Sequence, residues 1–236
     1  MTAPFPPGRL PAAKLRLLQE AERAFGEHGI ANSSLREISE RAGHRNRTAA
    51  QYHFGDRDGL VLAILRHRRP QIDALRARYF AALAIDVEEA SSRLLVEAII
   101  GPLLFTDLEA GLHAYARTVY ALLQYDIDGS IWRRTGDAAP LTRSIYASLR
   151  MRAEPVGDAE WQMRQTAFGR CCIDMAAHRR LMFPDGALAD PATAGQLITM
   201  LCAMLLAKAP DTDGEDGAVT NHNVWQAIMK TENAAE

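Results

Sequence analysis

Residues 42–60 read AGHRNRTAAQYHFGDRDGL, and the central RNRTAAQYHF is basic and polar, built on small side chains, before it ends in two aromatics. A helix that buries a face needs apolar residues at three- and four-residue steps, and this stretch offers only Ala49 and Ala50. Those alanines permit close packing on a preceding helix, which leaves Arg45, Arg47, Thr48, Gln51 and Tyr52 to point outward. The spacing predicts about two turns of helix over residues 46–52, with Asn46 as the N-cap. Upstream, Ser34 and Glu37 have the spacing of a capping box. They open a second short helix that keeps Leu35, Ile38 and Ala42 inward until Gly43 ends it. Before that, residues 11–28 carry Leu15, Leu18, Ala21 and Phe25 on one face, with Pro11 at the start and Gly29 as the stop. A short helix, a glycine-containing turn and a second short helix of basic character make a helix-turn-helix, whose second helix enters the DNA major groove.

Charge points the same way. The 236-residue chain has a net charge of −2, yet up to Arg69 it carries twelve Lys/Arg against seven Asp/Glu, and beyond Arg69 fifteen against twenty-two. Such asymmetry is the footprint of one end meeting a polyanion. A hydrophobic fraction of 48% and a charged fraction of 24% are those of an ordinary globular protein, not of a disordered or membrane chain. No segment reaches the roughly 18 to 20 uninterrupted apolar residues of a membrane span. The N-terminal MTAPFPPGRLPAAK has prolines where a secretory signal carries a basic and then an apolar region. Cys171, Cys172 and Cys202 show no CxxC or Cys/His ligand spacing, so they are expected as buried apolar side chains. A cytoplasmic protein with no metal and no cofactor is the expectation.

Apolar residues recur at helical steps throughout and β-branched alternation is nowhere sustained, which predicts an all-α fold. A long helix begins near residue 56, and Pro70 within it is expected to kink or break it and to serve as a hinge. Further helices are expected over residues 91–108, 112–125, 139–152, 158–183 and 191–208, with a short one at 224–229.

Taken together, AERAFGEHGIANSSLREISERAGHRNRTAAQYHFGDRDGLVLAIL resembles the N-terminal DNA-binding domain of TetR-type transcriptional regulators. The shared pattern is AxxxFxxxG, a hydroxyl pair followed by LxxI, then AG, then YHF with an acidic turn and a glycine before leucine. The resemblance covers residues 11–65. It departs in one respect: one extra residue lies between Ala42-Gly43 and Tyr52-His53-Phe54, which implies a longer turn. The resemblance implies a homodimer on a double-stranded DNA operator, repression as the usual mode, and a second helical domain with a small-molecule pocket and the dimer interface. With a proline-rich flexible arm (1–10) and an acidic, glycine-containing mobile tail (209–236) read from composition, the expected division is the helix-turn-helix domain (11–56), a connecting helix (57–85) and a ligand-binding and dimerisation domain (86–208). The resemblance places Tyr52 where a hydroxyl reaches a phosphate and Arg47 where a basic side chain lies near DNA, able to pair with guanine or to hold a phosphate. Thr48 and Gln51 lie on the same exposed face. Arg45 and Asn46 lie in the turn. Ser34 caps its helix and is a phosphate contact as well, Arg36 is a positioning contact, and His53 either donates to a phosphate or caps the packing beneath.

In the second domain, polar and aromatic groups on otherwise apolar segments are candidates for a pocket, although ordinary cores are built from the same mixture. They are Phe105, His113, Tyr115, Tyr120 and Gln124, and further along Trp132, Tyr146, Arg150 and Phe168. Trp161, Phe168, Cys172, Met175 and Arg179 recur at three- and four-residue steps, and with Leu201, Met204 and Leu205 they form an apolar face read as a dimer interface. Two competing readings carry less. An all-α enzyme would have to work without a GxSxG, P-loop, GxGxxG or HExxH motif, and no catalytic residue is marked. A dimeric helical interaction module that has lost DNA binding would favour an acidic recognition helix, and this one is basic.

Overall fold

In the computed structural model α1 (Ala12–His28) buries Leu17, Leu18, Ala21, Ala24 and Phe25. Residues 10–105, 112–153 and 156–207 are described, with backbone alone at 184–186, and every regular element among them is helical. The helix expected at 224–229 lies outside the described residues. Leu15 is only half-buried and Leu17 takes its place inward, because α1 is covered on one side by α6 and on another by α2 and α4. Gly29, at φ 78°, stops the helix as expected. Next come α2 (Leu35–Arg41), α3 (Ala49–Phe54) and α4 (Arg57–Leu83). Asp56 caps α4 by accepting from the Gly59 amide at 2.8 Å.

Pro70 does not break α4, the sharper of the two effects expected of it; the helix is continuous over 27 residues. The proline faces solvent, and its neighbours grip the adjoining helices. Arg68 donates two hydrogen bonds of 2.6 Å to the Glu22 carboxylate of α1. Arg66 donates to the Arg134 carbonyl at 3.0 Å, and Arg69 donates to Thr135. Two turns further, buried Arg76 donates to the carbonyls of Ala98 and Ile99, both at 2.9 Å. Asp73 accepts from the Leu141 amide at 2.9 Å. These bonds fasten the helix on both sides of the proline.

The remaining helices are α5 (Ser92–Leu104), α6 (Leu112–Tyr125), α7 (Ser130–Arg133), α8 (Pro140–Arg152), α9 (Asp158–Ala177), α10 (Arg179–Met182) and α11 (Pro191–Leu206). The short α7 was not foreseen; the Asp126 carboxylate fixes it by accepting from the amides of Ile131 and Trp132, each at 3.0 Å. Residues 158–183 are two helices instead of one. At His178 the backbone leaves the helical region (φ −108°, ψ 23°) and the ring turns back to the Asp174 carboxylate at 2.9 Å. Thr118 of α6 donates to the Glu22 carbonyl at 3.0 Å, so α4 and α6 both hold the same turn of α1. Through Leu206 the described helices close into one compact unit.

Candidate nucleic-acid interface

The geometry of α3 is set by polar bonds from outside it. Ser39 of α2 is fully buried; its hydroxyl donates to the Leu35 carbonyl at 2.8 Å and accepts from the Ala50 amide at 3.0 Å. One of the first-turn amides of α3, which no helical carbonyl can satisfy, is thus capped by α2. Asn46 is not the N-cap that the spacing suggested. Its carboxamide accepts from the Thr48 amide at 2.9 Å and the Thr48 hydroxyl at 2.8 Å, and the helix starts three residues later, at Ala49. Asparagine bonding to the backbone two residues on competes with helix and favours a turn. The helix also runs on to Phe54. His44 anchors the turn to α1 through the Ala13 carbonyl at 3.2 Å. Ala49 and Ala50 are buried against α2, so the backbones lie close.

The opposite side faces solvent: Arg45, Asn46, Arg47, Thr48, Gln51 and Tyr52 are all exposed. Tyr52 is 81% exposed, and its hydroxyl has no partner among the described residues. Exposure of so large a ring with only His53 edge-on at 5.1 Å leaves apolar area in water, at a cost of about 25 cal/mol per Å². Arg47 and Arg36 of α2 converge on Glu40, at 2.6 and 3.5 Å. Both guanidiniums stay more than half exposed there, so the pairing holds them in place without withdrawing their charge from the surface. His53 is half-buried between His44 and Phe54, and burial, with help from Lys14 and His44, holds its imidazole below the ordinary value. Ser34 is half-buried and accepts from the Glu37 amide at 3.4 Å. Ser39, which bonds the start of α3, and Glu40, which holds Arg36 and Arg47, were missed by sequence reasoning; the three-residue spacing of Ser39 from the inward-facing Ala42 was the available signal.

The residues read as a pocket are not gathered into one. His113, Tyr120 and Gln124 line a cavity between the C-terminal end of α1, α6 and the α9–α10 break. Tyr115 and Phe168 are core residues, and Tyr146 packs edge-on against Phe168 at 6.3 Å. Phe105 is exposed at the end of α5. Trp132 lies under the Arg69 guanidinium at 5.2 Å and Trp161 under that of Arg150 at 5.6 Å.

The face read as a dimer interface is turned the other way. Phe168, Cys172, Met175, Leu201 and Leu205 are buried within the chain's own core, while Trp161, Arg179 and Met204 are half-buried. An apolar stripe records that a helix face is covered, not which chain covers it. The solvent side of α9 carries Met163, Thr166, Ala167 and Arg170, and that of α11 carries Gln196, Thr199, Met200 and Ala203. Of the cysteines only Cys172 is fully buried; Cys171 and Cys202 are half-buried. Among the described residues no group of three His, Cys, Asp or Glu is placed to hold a metal ion, and no helix is long and apolar enough to cross a membrane.

Comparison with known proteins bears on α1 to α4 alone. Residues 17–64 match the family described as bacterial regulatory proteins, tetR family. Over 54 residues the chain is 37% identical to the HTH-type transcriptional repressor AcnR of Corynebacterium glutamicum, and equally so to that of Corynebacterium efficiens. The aligned part is 23% of this chain and 28% of each relative, so little more than a quarter of those proteins is spanned. The segment that builds most of α1, α2, α3 and the start of α4 is therefore similar to the tetR family of bacterial regulatory proteins.

Proposed function

We propose that the chain is a DNA-binding transcriptional regulator. It acts as a cytoplasmic homodimer, lays α3 of each subunit in the major groove of an operator, and represses until a small-molecule effector releases it. The observation that carries this reading is the solvent-facing surface shared by α3 and the basic turn before it, with Arg47 of the turn held at the surface and Tyr52 of α3 81% exposed, inside the segment that matches the tetR family. Repression is taken from the printed function of the two relatives. Dimerisation through the outer strips of α9 and α11 is supported by Met163 and Met200, 63% and 67% exposed on helices that pack together. A two-fold dimer reads a pseudo-palindrome with half-sites about 34 Å apart or a multiple of it. An effector releases the operator only to the extent that it prefers the DNA-incompetent form, typically about 1–3 kcal/mol of coupling or 5- to 150-fold.

Fluorescence anisotropy with DNA from upstream of the protein's own operon tests the reading. Six to ten phosphate contacts cost about 10³- to 10⁵-fold in affinity between 50 and 200 mM salt. No binding, or affinity flat across that range, would return the chain to the class of helical interaction modules.

A further inference from the structure

The cavity between α1, α6 and the α9–α10 break has a volume of about 660 Å³, within the range of about 300–1,000 Å³ usual for small-molecule sites. Its polar lining is one-sided. Arg117, Arg180, His113 and His178 all reach it, and no described lining residue is Asp or Glu. Neither Arg117 nor Arg180 is paired with a carboxylate among the described residues. The nearest acid on α9, Asp174, is engaged by His178 at 2.9 Å. Tyr120 stands edge-on to His178, with ring centroids 4.7 Å apart, and Phe25, Ile30, Ala121 and Leu181 complete an apolar lining. A concave site with uncompensated guanidiniums concentrates anions, and guanidinium to carboxylate or sulfonate is among the stronger hydrogen-bonding pairs. An aromatic and aliphatic lining demands that the anion have an apolar body.

We propose that this cavity is the effector site and that its ligand is an amphipathic organic anion, with an acidic head on Arg117 and Arg180 and a flat or aliphatic body against Tyr120 and Leu181. The proposal rests on the reading of the chain as a ligand-responsive regulator and adds the place and the chemistry. Burial is the main cause that holds the His113 imidazole below its ordinary value, and the guanidiniums of Arg117, Arg180 and Arg179 add to it, which is the field an anion would meet. Position supplies the link to DNA. A Cβ built on Gly26 would lie 2.9 Å from the Cβ of Arg117, so α1 and α6 approach closely beside the cavity, and a bound molecule bears on both. One of these helices packs against α2 and α4.

The test uses the full chain and two fluorescent probes with the same aromatic body: 1-anilinonaphthalene-8-sulfonate, an anion, and N-phenyl-1-naphthylamine, its neutral counterpart. The sulfonate is expected to bind at least about tenfold more tightly than the amine, the worth of one good charge-assisted bond. That preference falls to within about threefold in Arg117→Gln/Arg180→Gln. Ala31→Trp, at an exposed position of the lining, weakens both probes, and the melting temperatures of the variants stay with the wild type. Equal binding of the two probes by the wild type, or an undiminished preference in the double variant, overturns the site. Anisotropy on operator DNA separates the two readings. Binding with unchanged operator affinity supports the site and overturns the regulatory role, whereas release by an organic anion that persists in both variants overturns the site and keeps the role.

Discussion

Replacing Arg68 by methionine strands a carboxylate in the interior. Glu22 is 2% exposed and Arg68 9%, and the two bonds between them, each 2.6 Å, are the only side-chain bonds to that carboxylate among the described residues. Breaking one side of a buried ion pair costs about 3–5 kcal/mol, and an independent route gives the same size. Burial already pushes the Glu22 carboxyl up, against the pull of Arg68, so without the guanidinium it takes up a proton. Doing so at pH 7 from an ordinary value near 4.3 costs about 3.7 kcal/mol, at 1.36 kcal/mol per unit. A carboxyl raised in the folded state stabilises below its unfolded value and loses that contribution as pH rises. The penalty therefore shrinks on acidification, to about 1 kcal/mol at pH 5. Urea unfolding at matched protein concentration, followed by circular dichroism, measures it, and the melting temperature at pH 7 falls by roughly 7–15 °C. Glu22→Gln/Arg68→Met should recover most of the loss, because no charge is left unpaired. A penalty under about 1 kcal/mol at pH 7, or one that does not shrink by pH 5, would refute the desolvated pair.

Other perturbations follow from particular contacts. A Cβ on Gly59 would lie 2.0 Å from the Phe54 carbonyl oxygen, against 2.9 Å from a side-chain carbon at Gly26; Gly59→Ala should therefore cost about 3 kcal/mol and Gly26→Ala about 1, and thermal melts in the reverse order would contradict the geometry. Tyr52→Phe should weaken all operator sequences by about 1 kcal/mol if its hydroxyl meets a phosphate, while Arg47→Ala should cost about 1–3 kcal/mol and relax preference at one base pair; anisotropy on a set of single-base operator variants distinguishes the two. Met200→Glu should yield monomers by light scattering at micromolar concentration, with helix content retained, and a dimer unaffected by it would place the interface elsewhere. His53, His67 and His113 are held below their ordinary value, chiefly by burial, so they stabilise above about pH 6.5 and that stability is lost as pH falls; a His113→Gln variant should lose less than the wild type between pH 7.5 and 5.5 in thermal melts.

The unit of α1 to α3 was legible because its signals are local. Ala21, Phe25 and Gly29 set the length and face of α1, and Ser34 caps α2, all within one or two helical turns. The start of α3 was misplaced because an asparagine carboxamide suits a cap and a turn equally, and here Asn46 makes the turn while Ser39 of α2 takes the first-turn amide of α3. Glu22 reads as one more charged residue on α1; its burial depends on Arg68, which lies 46 positions away. Phe168 and Leu201 announce a covered face, and the fold spends that face on its own core. The cavity is likewise non-local, since Gly26 and Arg117 meet from distant parts of the chain and nothing in either segment marks the other.

The unbroken course of α4 has a mechanical consequence. Its 27 residues make a rod of about 40 Å at 1.5 Å per residue, and Pro70 is its middle residue. The grips of Arg66, Arg68 and Arg69 fall within four residues of that midpoint. With Asp73 and Arg76 also bonded to α8 and α5, the rod is clamped over its middle, and a tilt of about 5° about that clamp carries its two ends about 1.7 Å in opposite directions, given that length. The end at Asp58 is tied to Tyr125 of α6 at 3.0 Å and adjoins the turn after α3. A push on the far half of α4 therefore arrives beside α3 with its direction reversed.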